Sequence, residues 1–410
     1  MMKIKLKKRK YESPYKNIIK ELHKKEIRED DYFKNRKICL LGARKPIQSY
    51  GGNVPEEQLI GWNINPYEHT NLGIIGASGI GKTRLIKPII AQYHKQGYKV
   101  LVFSPKEDEW SSAKLKGQGR RLHQNVKNES LPIVSYCPSY VRNYLERNNF
   151  PLDKYKFYSH SIKHFTSREV WESLGFSSTA SSFAVGLVNQ GVTKLKDLQK
   201  KMKYSSLLPV SKNSADNKIE TMIGTKFIND RLGEIDIEYE WAQNNIIAIN
   251  YYSQKGFLMS TDVWLLIDKV REYCQRQRRK GSFQPVLILF DDANYYAETK
   301  PYNNYSISSI IDCQINYRSL GVNVIVSYQF PEVVNSDVVK GSSSRLISFV
   351  EDPNSLRGIM PEDAIYVLKV GPEDGGLLID DKTYTVEWVY RPKGRDWYRF
   401  FPFDCNVGHD

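Results

Sequence analysis

The sequence is poor in cysteine, in long apolar runs and in acidic side chains relative to basic ones. Its five cysteines are scattered, and none lies in a C-x-x-C pair, so neither a disulfide framework nor a zinc site is indicated. The longer apolar runs, such as 263–267 and 286–290, fall far short of the roughly 18 residues that a membrane-spanning helix needs. The basic N-terminus lacks the apolar segment of a secretory signal. We therefore expect a cytoplasmic protein with reduced thiols and no integral membrane segment.

Basic side chains outnumber acidic ones by 60 to 46 over the 410 residues, which gives a net charge of +14. Such an excess favours a polyanionic partner, either nucleic acid or an anionic membrane surface, and does not choose between the two. Lysines are dense in the first ten residues, where apolar side chains are few. This composition predicts a basic N-terminal extension over residues 1–58, which is either a solvated terminus or an arm that contacts a partner.

A complete G-x-x-x-x-G-K-[ST] pattern is formed by Gly76, Ala77, Ser78, Gly79, Ile80, Gly81, Lys82 and Thr83. It follows an apolar run at 72–75 and precedes a helical pattern at 84–94, which is the context that a phosphate-binding loop requires. Glycines let backbone N–H groups turn towards the phosphates, Lys82 reaches the β and γ oxygens, and the Thr83 hydroxyl binds Mg²⁺. The pattern predicts a nucleotide site, the alternative being a tight glycine turn between a strand and a helix.

Two further apolar runs end in polar side chains that suit the same site. The run at 287–290 leads into Asp291 and Asp292, as a Walker B strand does. Asp291 would hold the metal, directly or through water, and Asp292 would orient the attacking water. The alternative is a buried strand with two acids at its solvent end. The run at 322–327 leads to Gln329, which would sense the γ-phosphate or position water at the same sheet edge, or would cap a backbone group.

Strand and helix patterns alternate along the chain from about residue 59. Apolar strand patterns occur at 72–75, 99–103, 246–250, 285–290, 322–327 and 346–350. Helical patterns occur at 84–94, 262–279 and 306–317. Such alternation predicts an α/β fold with a mainly parallel sheet covered by helices. We expect a main domain at 59–390, with a helical insertion at about 140–240 and a C-terminal hairpin at 377–389, followed by a tail at 391–410.

The order of these motifs resembles the HerA/FtsK superfamily of ring-forming, DNA-translocating ATPases. The matching stretches are Gly61-Trp62-Asn63, Glu68-His69-Thr70-Asn71, the phosphate loop, Ser104–Trp110, Asp291-Asp292, Arg318–Val322, Ser327–Pro331, Ser343–Ile347, Pro361-Glu362-Asp363 and Gly375-Gly376-Leu377. The resemblance covers roughly residues 59–390. It implies a RecA-like P-loop core with ATP and Mg²⁺ as cofactors, a homohexameric ring, and double-stranded DNA as the partner.

The resemblance also implies roles for single residues. In these rings an arginine from one subunit completes the site of its neighbour and stabilises transition-state charge. By position the implied arginine is Arg345, which is expected to begin a strand beside the one that ends at Gln329 and to face a neighbouring subunit. Arg318 is second, and a surface ion pair is the alternative for Arg345. Asp292 stands where the family usually has glutamate, so Glu109 could share the role of catalytic base. Ser104 replaces the aspartate of the family's D-P-K-G-E-[YW] turn.

The parts outside the motifs are less informative. Residues 1–58 are too few for the N-terminal barrel of cellular HerA proteins, which favours a plasmid- or virus-type member with a membrane-associated or capsid partner still unknown. The polar, aromatic loop at 293–305 and the basic cluster at 276–280 are candidate DNA contacts or ordinary surface. His160 and His164 have helical spacing but no third ligand, which argues against zinc.

Three functions fit the sequence. The first is a hexameric ATPase that moves double-stranded DNA in packaging, conjugative transfer or DNA processing. The second is a related ring ATPase that powers a secretion or pilus machine and acts on protein. The third is a regulatory nucleotide-binding protein with little turnover, suggested by Asp292 in place of glutamate. Salt-dependent DNA binding separates the first from the second, and ATP turnover separates both from the third.

Overall fold

The computed structural model describes residues 38–44, 58–64, 71–77, 82–106, 110, 131–229, 232–347, 356–357, 365, 368, 375–380 and 385–390. The strands are β1 (Ile38–Ala43), β2 (Leu59–Asn63), β3 (Leu72–Ile75), β4 (Lys99–Ser104), β5 (Ile133–Pro138), β6 (Lys156–Tyr158), β7 (Ile246–Asn250), β8 (Val286–Phe290), β9 (Val322–Tyr328), β10 (Ser344–Ile347), β11 (Gly375–Asp380) and β12 (Thr385–Tyr390).

The α-helices are α1 (Lys82–Lys95), α2 (Arg142–Arg147), α3 (Arg168–Ser173), α4 (Ser178–Asn189), α5 (Leu195–Lys203), α6 (Pro209–Thr225), α7 (Ile237–Ala242), α8 (Phe257–Arg279), α9 (Asn294–Ala297), α10 (Asn304–Ile315) and α11 (Ser336–Lys340). In the described parts of the chain, no helix is both long and apolar enough to cross a bilayer.

All twelve strands join one sheet, in the order β2-β1-β12-β11-β10-β3-β9-β8-β4-β7-β5-β6. Every neighbouring pair from β10 to β6 is parallel, while the pairs from β2 to β10 are antiparallel. The segment β10-β3-β9-β8-β4 has the RecA-like arrangement, in which β9 separates the strand before the phosphate loop from the strand before the two acids. The predicted α/β core with a mainly parallel sheet and a C-terminal hairpin is confirmed.

The parallel strands are buried on both faces, which is why their sequences read as nearly continuous apolar runs. Helix α1 packs on one face through side chains such as Ile86 and Ile90. Helices α8 and α10 cover the opposite face through side chains such as Val263 and Ile310. Asn71, just before β3, donates to the carbonyl of Gln314 at 2.8 Å and accepts from the N–H of Val324 in β9 at 3.1 Å. Asn71 thereby joins helix α10 and strand β9 to the start of β3.

Most predicted elements have the expected type, but their boundaries differ. Helix α8 begins at Phe257 rather than 262. Its first turns show no amphipathic pattern, because Phe257 is exposed while the polar Ser260 and Thr261 are buried. Strand β10 begins at Ser344 rather than 346, and residues 348–350 lie outside the described part. Strands β5 and β6 were not predicted; β6 is only three residues long and lies at the end of the sheet. Strand β1 places part of the predicted N-terminal extension inside the main sheet.

The expected helical insertion lies between β5 and β7 and contains α2 to α7 together with β6. It has its own apolar core, centred on Phe165 and Trp171, which Leu265 of α8 joins. At the end of β6 the chain is fixed to the same helix by polar contacts. The fully buried Asp262 of α8 accepts hydrogen bonds from Tyr158 at 2.5 Å and from Tyr251 at 2.6 Å, and it pairs with His160 at 2.5 Å.

Burial raises the pKa of Tyr158 and Tyr251, and the charge of Asp262 raises it further, so both hydroxyls stay protonated as donors. His160 hydrogen-bonds to Asp262 as one of the polar contacts that fix the insertion to α8. No group of three or more His, Cys, Asp or Glu side chains suited to a metal occurs in the described residues. The four cysteines there are buried free thiols.

We predict that Asp262→Ala lowers the free energy of unfolding by about 3–5 kcal/mol, because three buried polar partners lose their common acceptor. Chemical denaturation followed by circular dichroism measures this change. Asp197→Ala, at an exposed position of α5, is the matched control and should cost less than about 0.5 kcal/mol. Equal effects of the two substitutions would contradict the assigned role of Asp262.

Candidate nucleotide and metal site

The site is built where the carboxyl ends of four neighbouring parallel strands meet. Register pairs Ile75 of β3 with Tyr328 of β9, and Phe290 of β8 with Val326 of β9 and Phe103 of β4. The N–H of Gly76 donates to the carbonyl of Tyr328 at 3.3 Å. The residues that follow these strands therefore lie at one edge of the sheet, where ligands bind in open α/β folds. Gly76 and Ala77 are described, whereas Ser78, Gly79, Ile80 and Gly81 lie outside the described residues.

Lys82 begins helix α1 and is only 5% exposed. Its ammonium group donates to the carbonyl of Gly76 at 2.6 Å and to that of Ala77 at 2.8 Å. The ammonium thus lies against the backbone of the loop whose N–H groups are expected to hold phosphates. Thr83 follows as the second residue of α1, so its hydroxyl lies at the helix N-terminus, a place that favours anions.

Asp291 and Asp292 are both buried at the end of β8. One hydroxyl group orients both residues: Ser327 of β9 donates to Asp291 Oδ1 at 2.8 Å and accepts from the N–H of Asp292 at 3.0 Å. Asp292 has φ of 46°, a left-handed conformation that costs energy for most residues but less for aspartate and asparagine. The turn after β8 is therefore held in a shape that keeps two carboxylates side by side.

Gln329 reaches the same turn from β9. Its side-chain amide donates to Asp292 Oδ1 at 3.2 Å, and its backbone N–H donates to Asn294 Oδ1 at 3.0 Å. The sequence analysis placed Gln329 and the two acids at one edge, and the structure brings them into contact. Whether Gln329 acts on phosphate or on water stays a prediction.

Trp110 lies against Asp291, the first of the two acids after β8. The indole is fully buried, its Nε1 lies 3.4 Å from Asp291 Oδ2, and the Lys87 ammonium lies 5.6 Å from the centre of its ring. Ser135 donates to the carbonyl of Trp110 at 2.7 Å, which attaches this residue to β5. Trp110 is the aromatic residue of the D-P-K-G-E-[YW]-like turn, whereas Glu109 lies outside the described residues.

Lys106, like Ser327 and Trp110, is a described site residue to which the sequence analysis gave no role. Its ammonium lies 3.0 Å from Thr83 Oγ1, 3.1 Å from an Asp292 oxygen and 3.9 Å from an Asp291 oxygen. A cation thus contacts three oxygen-bearing side chains from α1 and β8. The signal was present in the lysine of the D-P-K-G-like turn, but spacing alone does not place it against Walker B acids.

These side chains fit a hard divalent cation. Mg²⁺ prefers oxygen ligands, usually one or two protein groups with phosphates and water. The Thr83 hydroxyl and the Asp291 carboxylate, with Asp292 adjacent, supply such a set, and a positive charge already lies among them as the Lys106 ammonium. The residues that would hold Mg²⁺ are Thr83 and Asp291, as the sequence predicted.

The expected position of Arg345 was wrong. We predicted that it begins a strand beside the one ending at Gln329, at an edge facing a neighbouring subunit. In the structure β3 separates β10 from β9, and Arg345 is 6% exposed between β3 and β11. Burial raises the pKa of Tyr328, and the charge of Arg345 nearby offsets part of that rise. Arg318 is exposed, in the turn before β9, at the opposite edge from the acids. The finger role of either arginine stays a prediction.

The candidate DNA contacts differ in accessibility. Within 293–305, Tyr296 is buried in the core and cannot stack on a base, while Lys300 is exposed. The 276–280 cluster is exposed at the end of α8, where Arg276 and Lys280 form ion pairs with Glu238. Both regions stay candidates only through their exposed cations.

No protein-family model matches the chain, and no curated protein matches its sequence. Several solved structures are similar in fold. VirB4 of Thermoanaerobacter pseudethanolicus has a TM-score of 0.55 at 12% identity, over 87% of this chain and 96% of that one. The bacterial conjugative coupling protein TrwB, in a truncated form, has a TM-score of 0.50 at 11% identity, over 87% of this chain and 93% of that one.

The alignment with the genome packaging NTPase B204 of Sulfolobus turreted icosahedral virus 2 covers 80% of this chain and all of that one at 12% identity. Its TM-score of 0.37 is too low to support an inference about this chain. Identities this low establish fold rather than activity. They show that the chain has the RecA-like P-loop fold, which the order of its motifs implied.

We predict that Ser327→Ala weakens Mg²⁺-dependent nucleotide binding by about tenfold, because a hydrogen bond to a charged group contributes about 1.5–3 kcal/mol. Isothermal titration calorimetry with and without Mg²⁺ measures the effect. Ser309→Ala removes an equally buried hydroxyl that bonds only to its own helix, and should leave binding unchanged. If both variants bound Mg²⁺-nucleotide like the wild type, Ser327 would not orient the acids.

Proposed function

We propose that the chain is an ATPase that couples ATP hydrolysis to translocation of double-stranded DNA as a homohexamer. One observation carries the nucleotide part of the proposal: oxygens of Thr83, Asp291 and Asp292 converge on one cationic position beside the phosphate loop. The net charge of +14 supports a polyanionic partner. The fold shared with HerA/FtsK-type ATPases is consistent with both parts.

The proposed mechanism assigns each polar group of the edge one task. Lys82 leaves the carbonyls of its loop to bind β- and γ-phosphate oxygens. Thr83 and Asp291 would hold Mg²⁺, which would supply positive charge against the negative charge that develops on the phosphate oxygens. Asp292 accepts a proton from the attacking water or orients it, and Gln329, already in contact with that carboxylate, fixes the direction of the water relative to the γ-phosphate.

We predict that Lys82→Ala abolishes ATP hydrolysis and weakens ATP binding by about 10²–10³-fold, because a preorganised cation is removed from the phosphates. A coupled ATPase assay and equilibrium binding measure the two effects, with circular dichroism as the control for folding. Normal ATP turnover in this variant would contradict the assignment of the nucleotide site.

Asp292→Asn should bind ATP and fail to hydrolyse it, since asparagine tolerates the left-handed backbone but is a poor base. Single-turnover hydrolysis of bound ATP tests this. If Asp292→Asn turned over at the wild-type rate while Glu109→Gln did not, the base would be Glu109. If the wild type bound ATP without turnover, a regulatory role would replace the enzymatic one.

Duplex DNA should stimulate turnover, and the stimulation should fall steeply as salt rises, because phosphate contacts release counterions. ATPase rates with and without duplex DNA over a series of salt concentrations measure this. An ATPase rate that DNA does not change at any salt concentration would favour the alternative function, a ring ATPase that acts on protein.

We further propose that an arginine acts in trans, and the burial of Arg345 makes the exposed Arg318 the better candidate. Mixing tests this: an active site that carries Arg318→Ala can borrow the intact arginine of an adjacent Lys82→Ala subunit. A trans finger predicts partial recovery of hydrolysis in mixed rings, and Arg345→Ala serves as the parallel variant. No recovery in rings shown by native mass spectrometry to be mixed would exclude the arginine tested.

A further inference from the structure

The ammonium group of Lys106 occupies the position at which the fold leads us to expect a metal. We propose that Lys106 is a resident counter-cation of the metal site, which Mg²⁺ displaces when it enters with nucleotide. The inference rests on the proposed function, because it presumes that Thr83 and Asp291 hold Mg²⁺. It adds a role for this lysine, and a competition between two cations, that the motifs do not specify.

The distances bring Lys106 and a metal at this site into competition for the same oxygens. The Lys106 ammonium is 3.0 Å from Thr83 Oγ1 and lies beside both Asp carboxylates. Mg²⁺ binds its oxygen ligands at about 2.0–2.1 Å, so a metal on Thr83 and Asp291 would meet the ammonium at short range. Two cations that share the same oxygens repel, and the divalent ion, with nucleotide phosphates as further ligands, is favoured.

The local structure lets the side chain leave while the backbone stays. The carbonyl of Pro105 accepts from the N–H of Ser253 at 2.6 Å, and the N–H of Lys106 contacts Ser104 Oγ at 3.3 Å. The backbone is thus tied to β4 and to the segment after β7. The Lys106 side chain is 24% exposed, and four rotatable bonds let its ammonium move towards solvent or the phosphates.

The buried acids explain why a resident cation is useful. Asp291 and Asp292 are adjacent and buried, and a cation beside them offsets the cost of burying two carboxylates together. The Lys106 ammonium lies 3.1 Å from an Asp292 oxygen and 3.9 Å from an Asp291 oxygen. Its positive charge stabilises the two carboxylates in this arrangement. The same charge must also oppose the entry of Mg²⁺. Lys106 therefore lowers the affinity for Mg²⁺ while it holds the two carboxylates in place.

Lys106→Met keeps the length of the side chain and removes the charge. With saturating ATP analogue AMPPNP, calorimetric titration of Mg²⁺ into this variant should show about tenfold tighter metal binding than in the wild type, since a like charge beside the site is gone. Without metal, in EDTA, the variant should have a lower melting temperature, and added Mg²⁺ should recover more of it than in the wild type.

Lys156→Met is the matched control, because Lys156 also pairs with a carboxylate, Glu240 at 2.8 Å, but on β6 away from the site. Its Mg²⁺ affinity should equal that of the wild type. If Lys106→Met does not fold, Lys106→Gln replaces it in both measurements. Metal binding in the Lys106 variant that is equal to or weaker than in the wild type would overturn the inference, weaker binding pointing to a phosphate contact that coexists with the metal.

The fluorescence of Trp110, whose indole contacts Asp291, gives a second readout that does not depend on hydrolysis. Mg²⁺ should change the emission at lower concentration in Lys106→Met than in the wild type, and Trp110→Phe assigns the signal. Failure of the inference alone leaves Lys82-dependent ATP binding intact in the wild type. A wild type that binds no ATP would overturn the proposed function and this inference together.

Discussion

The parallel pairing of β3, β9, β8 and β4 is the constraint on which the candidate site depends. Because the strands are in register, the residues after Ile75, Tyr328, Phe290 and Phe103 emerge at one edge. These strands are buried on both faces, so a slip of one residue would move apolar side chains out of one packed layer and into the other. The packing that stabilises the sheet therefore also fixes the positions of the loop, the two acids and the turn that carries Lys106.

The charge balance at that edge follows from burial. Two buried carboxylates need donors or cations, and this site provides Ser327, Trp110, Gln329 and Lys106. Ser327 and Gln329 come from the end of β9, and Lys106 and Trp110 follow β4, so a shift of either strand would disturb the site. The left-handed backbone at Asp292 is tolerated because its N–H and carboxylate are both engaged.

Much of the fold was predictable, because buried parallel strands leave nearly continuous apolar runs and the phosphate loop has a distinctive pattern. The polar residues that end β8 and β9 were placed correctly at one edge, since strand ends in a parallel sheet share an edge. Burial of a polar side chain gives no such signal. The position of Arg345 in an interior strand depends on the antiparallel β11 beyond it. Tyr296 is buried through its packing on Phe103, Tyr251 and Phe290. The contact between Lys106 and the two acids could not be predicted, because it depends on β4 lying next to β8 in the sheet.

The central claim is that the edge formed by Thr83, Asp291 and Asp292 binds a nucleotide with Mg²⁺. A crystal structure of the protein grown with Mg²⁺ and ATPγS tests it most directly. The account predicts the metal on the Thr83 hydroxyl and near Asp291, with the Lys82 ammonium moved from the carbonyls of Gly76 and Ala77 to phosphate oxygens. Nucleotide bound away from this edge, or Lys82 still on its own loop beside a bound triphosphate, would contradict it.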